Sequence, residues 1–311
     1  MPKILVVFGA TGHQGSSVIN NVLNDHELSA EYRIRAITRD VNSGKAKQLK
    51  DKVEVVYGDM SDEKSLGPAL AGAHTVFIMT PPSFGSSHEE DEFNNVKAIA
   101  DAAVQQGATY LIYSTLPSIS QLSGGKCTKI TFFDAKAKAE NYVRGLNIKS
   151  AFFAGGFFME NFHQHSFLGP QPGTDGTWVL SRSCSPSTKL PYFDATEDTG
   201  KWIGTILANP DEYEGKTFSA AQALYSLDEI AAALSKTTGK KVVYKQLSAE
   251  KFAKSLPVAG DAFSEFFLFM QDYGGYFGPE TEKLVSWAAG RARGKLTTLD
   301  EYFERHPLTL D

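Results

Sequence analysis

Glycines at positions 9, 12 and 15 stand in "GATGHQG", between an apolar run and a stretch of helical spacing. A chain that leaves a strand, turns and enters a helix there presents free backbone N–H groups and the positive helix end at one point, which attracts phosphate. Gly9 permits the turn, Gly12 lets a pyrophosphate approach the backbone, and Gly15 lets the helix lie close on the strand. With Thr11, His13 and Gln14 completing the turn, the segment predicts a dinucleotide-binding loop.

The kind of dinucleotide is read at the end of the next apolar run. An NAD site needs an acidic residue about 20 positions past the glycines to accept from the ribose 2′-OH. Here "AITRD" puts Thr38 at that place, followed by Arg39, with Lys45 and Lys47 just beyond. A carboxylate would repel a 2′-phosphate, whereas a guanidinium binds it through two hydrogen bonds, so NADP is the predicted cofactor. Asp40 is the residue against this reading, since a carboxylate turned back toward the ribose would suit NAD, but side chains alternate along a strand and the alternation points it away from Arg39. Farther on, "YGDMSD" offers Asp59 and Met60 to meet the adenine amino group and cover its ring, although Asp59 serves equally as a helix cap or turn residue. "MTPP" offers Thr80, Pro81 and Pro82 as a rigid wall beside the pyrophosphate and ribose.

These groups converge only if strands and helices alternate in a particular way. Short β-branched runs at 3–9, 32–38, 52–58, 75–80, 109–115 and 148–155 are separated by longer amphipathic stretches, clearest at 89–107 and 132–147. Continuous apolar strands with helices between them predict an α/β fold, a doubly wound parallel (Rossmann) sheet. After about residue 156 the rhythm breaks: "GTWVLSRS" and "STKLPYFD" read as strands, and 196–208, 226–237, 249–255, 261–273 and 297–304 as helices. The chain therefore divides, on this reading, into a Rossmann domain over 1–156 and a smaller α+β capping lobe over 157–311 that forms the far wall of the pocket.

Composition narrows the function classes. The chain has 311 residues, of which 42% are hydrophobic and 22% charged, as in an ordinary globular protein. A net charge of −5 offers no basic field for nucleic acid, so direct DNA binding is not expected, nor is any membrane span. The opening apolar run is too short for a secretion signal, which predicts a cytoplasmic or nuclear protein. Cys127 and Cys184 lack metal-ligand spacing and predict free thiols without a structural metal.

In order and spacing, "GATGHQG", "TRD", "YGDMSD", "YSTL", "FFDAKAKAENYV" and "GGFFMENF" resemble the NmrA-like family of atypical short-chain dehydrogenase/reductases. "EDTGKWIGTILANPDEYEGKTFSAA", "YSLDEIAAALSKTTGKKVVY" and "LTTLDEYFERH" extend the resemblance over nearly the whole chain. It implies an NADP-binding protein, in a family that holds both regulators and reductases. A working short-chain dehydrogenase uses a strand hydroxyl, a Tyr and a Lys, the Tyr four residues before the Lys on one helix face. By resemblance Lys136 matches the lysine, as a catalytic and ribose-binding group, and Ser114 or Thr115 the hydroxyl. Phe132 stands at the tyrosine position. It carries no proton, and Tyr142 is turned roughly 120° away from Lys136 on the helix.

Other proton donors lie in "FFMENFHQH", where Glu160, Asn161, His163 and His165 fall near the nicotinamide end, and a histidine suits proton transfer near neutral pH. Phe157, Phe158 and Met159 are expected to pack on the nicotinamide or in the core. "FSEFFLFMQDYGGYFG" either lines an apolar pocket, forms a lid hinged at Gly274 and Gly275, or joins the lobes. The missing tyrosine favours an NADP(H)-reading redox sensor or transcriptional co-regulator, monomer or homodimer, that acts through a protein partner such as a transcription factor. The alternative is an NADPH-dependent oxidoreductase of a quinone, imine or similar small apolar substrate.

Overall fold

Each β-branched run becomes a strand of one parallel sheet, wholly buried over Thr75–Ile78 and Tyr110–Thr115 and open to solvent at the edge strand Glu54–Tyr57. In the computed structural model, which describes residues 2–81 and 88–310, these are β1 (Lys3–Val7), β2 (Tyr32–Thr38), β3 (Glu54–Tyr57), β4 (Thr75–Ile78), β5 (Tyr110–Thr115) and β6 (Lys149–Gly155). The second half supplies β7 (Phe157–Phe158), β8 (Gln171–Pro172), β9 (Trp178–Arg182), β10 (Lys189–Phe193), β11 (Thr217–Ala220), β12 (Ala223–Ser226) and β13 (Val242–Gln246). One seven-stranded sheet runs β11-β6-β5-β4-β1-β2-β3 with every pairing parallel. Its order reverses between β1 and β4, where a doubly wound sheet opens its ligand crevice.

Alternate residues of β1 feed opposite cores. Leu5 and Val7 meet Val18, Ile19 and Val22 of the helix His13–Asn24 and Trp202, Ile203 and Ile206 of the helix Ala195–Ala208. Val6 and Phe8 meet Leu66 of Glu63–Leu70, Val96 and Ile99 of His88–Gln105, and Val143 of Thr131–Arg144. A third core, around Leu180, Leu190, Ile230, Phe266 and Phe267, belongs to the smaller α+β lobe, whose sheets run β12-β10-β7 and β13-β9-β8. Cys127 and Cys184 are buried and unbonded to each other.

The central sheet does not end at residue 156. β11 returns from the second half to pair with β6, Phe218 opposite Phe153. The helix Ala195–Ala208 then lies directly on His13–Asn24: a Cβ at Gly200 would sit 2.3 Å from the Ser17 carbonyl oxygen, and the Gly200 N–H donates to Ser17 Oγ at 2.9 Å. The two halves are thus interleaved at the phosphate-loop helix. No helix of the described residues is long and apolar enough to cross a membrane.

Candidate functional site

The glycine loop has the geometry that its residue types require. Gly9 holds φ at +67°, in the left-handed region open to glycine. A Cβ on Gly15 would lie 2.2 Å from the Gly9 carbonyl oxygen and 2.8 Å from Ala10 Cα, backbone atoms that cannot retreat. Gly12 closes the turn with its N–H on Gly9 O at 2.9 Å and begins the helix His13–Asn24 with no side-chain cap. The first helical amides therefore remain available to an anion.

The basic residues stand at the same end. Lys45 Nζ donates to the Thr11 carbonyl at 3.3 Å, which lays its ammonium across the loop. Arg39 is exposed near Asp59. Asp40 accepts the Asn42 N–H at 2.9 Å, so its carboxylate is tied into its own turn. Asp59 accepts from the Ser61 N–H and Oγ at 3.0 and 2.8 Å; these bonds, assisted by the Arg39 charge, hold its carboxyl below the usual range. Of the two roles open to Asp59, the turn is the one present, while Met60 packs half-buried on the core beneath. Uncapped amides and a cradle free of side chains, with Lys45 across the loop, fit the pyrophosphate of a dinucleotide.

Beyond the carboxyl ends of β4, β5 and β6 opens a cleft of about 410 Å³ whose lining is mostly apolar. Thr80 and Pro81 follow β4, Ser114 and Thr115 end β5, Phe132 and Lys136 come from Thr131–Arg144, and Phe263, Phe266 and Tyr276 close it from the smaller lobe. Pro82 lies outside the described residues. Lys136 is buried, and its three ammonium protons find Thr80 O at 3.2 Å, Thr80 Oγ1 at 2.6 Å and Glu92 Oε1 at 2.8 Å. Glu92 Oε1 also accepts from Thr80 Oγ1 at 2.5 Å and from Tyr113 OH at 2.9 Å. Burial, and then the Glu92 charge, push the Tyr113 phenol far up, so it stays a donor. Lys136 is therefore in the cleft, but with every donor already engaged.

Ser114 Oγ donates to Gln14 Oε1 at 2.7 Å, joining the end of β5 to the phosphate-loop helix. Thr115 Oγ1 points to the Lys136 carbonyl at 3.4 Å. Phe157 and Phe158 both line the cleft, Phe158 meeting Phe193 edge to face and Phe157 stacking on Phe267 with centroids 6.2 Å apart. Met159 is wholly buried in the core. Tyr276 donates to Gly155 O at 3.1 Å, and the Phe277 N–H to Thr281 Oγ1 at 2.9 Å. Tyr276, just past Gly274 and Gly275, is thereby held in the wall of the cleft.

The histidines separate. His163 does not face the cleft: its Nδ1 lies 3.3 Å from Tyr302 OH, and its ring packs on Tyr302 and His306. The physical reason is the short helix Asn161–Gln164, in which a residue two positions on is turned by about 200°. Asn161, Gln164 and His165 line the cleft, with His165 exposed at its rim. His13 links the loop to this lip: the Gln164 amide donates to its Nε2 at 2.7 Å, so Nδ1–H donates to Thr196 Oγ1 at 2.8 Å. Thr196 passes a hydrogen bond to Glu160 at 2.6 Å, and Glu160 also accepts the Ala195 and Thr196 amides. Glu160 is thus a cap of the helix Ala195–Ala208.

Glu92 was not foreseen as a site residue. The signal was present in its spacing, one turn before Val96 on the stripe Val96, Ile99, Ala100 and Ala103. A carboxylate on an apolar stripe is a buried carboxylate, and a buried carboxylate needs a cation.

Comparison with known proteins follows from this geometry. A family model described as the NmrA-like family matches residues 1–303. The chain is 28% identical over 318 residues to an NmrA-like family domain-containing protein of Dictyostelium discoideum, covering 100% of both chains. It is 30% identical over 337 residues to an NmrA-like family domain-containing oxidoreductase, FrzB, of a Cladobotryum species, covering 98% of both. Among solved structures, NmrA, a negative transcriptional regulator in complex with NADP, matches with a TM-score of 0.73 at 24% identity, covering 98% of this chain and 97% of that one.

Proposed function

The chain belongs to the NmrA-like family, and from that premise we propose that it is an NADPH-dependent reductase of small aromatic acceptors such as quinones and iminium ions. The observation that carries this reading is the aromatic cleft of about 410 Å³ beyond the strand ends, large enough for a small ring system and apolar enough to select one. The Cladobotryum relative, named an oxidoreductase, supports the same reading.

The uncapped amides after Gly12 would hold the pyrophosphate, with Lys45 beside them, and Arg39 the 2′-phosphate that distinguishes NADP from NAD. When bound, the reduced dinucleotide supplies a hydride, which completes the reduction of an iminium and leaves a quinone one proton short. Phe132 has no proton to give, and Lys136 is engaged with Thr80 and Glu92. The remaining proton therefore enters from water at the rim, where His165 stands exposed. Ketones, whose oxygen must be protonated as hydride arrives, lack the general acid that is typically worth about 10²–10⁴-fold.

The test is to follow NADPH absorbance with purified protein and a panel of quinones, iminium ions and ketones. Quinones or iminium ions should be reduced and ketones should stay at background. Phe132, where a working short-chain dehydrogenase has its tyrosine, favours a second reading, a regulator whose NADP(H) occupancy alters a surface read by a protein partner. NADPH binding without turnover across the panel would overturn the reductase and leave that reading in its place.

A further inference from the structure

A buried ammonium in a binding wall usually waits for an anion. The Lys136 ammonium has three protons, and Thr80 O, Thr80 Oγ1 and Glu92 Oε1 take all of them, at 3.2, 2.6 and 2.8 Å. The Lys136 and Glu92 side chains are only 10% and 8% exposed, so both charges belong to the wall and cancel there. A buried ion pair adds little stability over an apolar pair of the same size, and stability therefore does not account for its presence beside a cleft. The lining beyond the pair and its hydroxyl neighbours Thr80, Ser114 and Thr115 includes Phe132, Phe133, Phe158 and Phe266, aromatic rings that favour cations over anions at their faces.

We infer that Glu92 sets the charge selectivity of the cleft. By neutralising Lys136 and occupying its donors, it leaves a wall that admits uncharged and cationic aromatic ligands and turns away anionic ones. Removing the carboxylate alone frees one donor and leaves a buried positive charge without its partner, which an anionic ligand then relieves. Removing the ammonium alone leaves the opposite charge and the opposite preference. The inference rests on the reductase reading only in naming the ligands as hydride acceptors, since the selectivity is a property of binding.

The experiment measures dissociation constants by quenching of intrinsic fluorescence for naphthoquinone, naphthoquinone sulfonate and N-methylquinolinium. The proteins compared are the wild type, Glu92→Gln, Lys136→Met and the double variant. Glu92→Gln should tighten the sulfonate roughly tenfold to a hundredfold, the range of a charge-assisted hydrogen bond, and leave naphthoquinone about where it was. Lys136→Met should instead tighten N-methylquinolinium, and the double variant should return to the wild-type order. If Glu92→Gln fails to fold, the other two proteins still decide. Equal shifts for all three ligands, or a sulfonate that binds the wild type as well as naphthoquinone does, would overturn the inference. Because no turnover is read, a protein that never oxidises NADPH can still pass this test, and the two failures remain distinct.

Discussion

At the scale of single residues, Phe132 lacks the hydroxyl that a short-chain dehydrogenase's tyrosine carries. Phe132 lies one turn before Lys136 and lines the cleft, so Phe132→Tyr places a phenol where a ketone oxygen would need its proton. Ketone reduction by the variant should exceed that of the wild type by about a hundredfold, measured as NADPH oxidation under substrate saturation. An equal rate in both proteins would show that the engaged Lys136, rather than the absent phenol, limits the chemistry. Arg39 acts at the other end of the nucleotide. Arg39→Ala should erase a preference for NADP over NAD of roughly tenfold to a hundredfold, the worth of a charge-assisted hydrogen bond, with calorimetric titration of both nucleotides as the check.

At the scale of elements, the N-terminus of Ala195–Ala208 carries an acid under strain of charge. Asp194 caps this helix by accepting the Glu197 amide at 2.9 Å, yet burial, and then the charges of Glu160 and Asp198, push its carboxyl up to about 6 from an ordinary 3.8. The folded state therefore holds this proton more tightly than the unfolded chain. The resulting stabilisation is complete below pH 3.8 and is lost as pH rises through about 6. Asp194→Asn keeps the cap oxygen and removes the charge. Urea melts at pH 5 and pH 8 should show the wild type losing on the order of 1–2 kcal/mol more than the variant between the two.

Elements also explain how much of the molecule was legible in the sequence. β1, β4, β5 and β6 were readable because their buried residues make a nearly continuous apolar run, and β2 because Tyr32, Ile34 and Ala36 alternate with Arg33 and Arg35. The glycine loop was readable because Gly9 and Gly15 tolerate no side chain there. β11 was not readable: its residues are Thr-Phe-Ser-Ala, and what makes them a strand is pairing with β6, a partner more than sixty positions earlier. His163 was placed by its distance past β6 alone; with no helix read over 161–164, nothing in the sequence fixed which histidine turns inward. Glu92 was passed over because its neighbours in "HEEDEF" are acidic, which masked its place on the apolar stripe.

At the scale of the whole molecule, the return of β11 and of Ala195–Ala208 makes the nucleotide half dependent on the rest of the chain. A fragment of residues 1–156 lacks both the seventh strand and the helix whose Trp202, Ile203 and Ile206 complete one core. It should show no cooperative thermal transition by near-UV circular dichroism, whereas the full chain should. A sharp transition in the fragment would mean that the first six strands suffice.

The same feature governs how the chain emerges from a ribosome. Gly155 ends β6 and Ala220 ends β11, so 65 further residues must be synthesised before β6 gains its outer neighbour. At about 5–20 residues per second that is roughly 3–13 s. Throughout it, the apolar segment that includes Phe152 and Phe153 lacks the partner strand that covers it in the fold. Nascent protein is therefore most exposed to aggregation, and most in need of a chaperone, in the interval between those two strands.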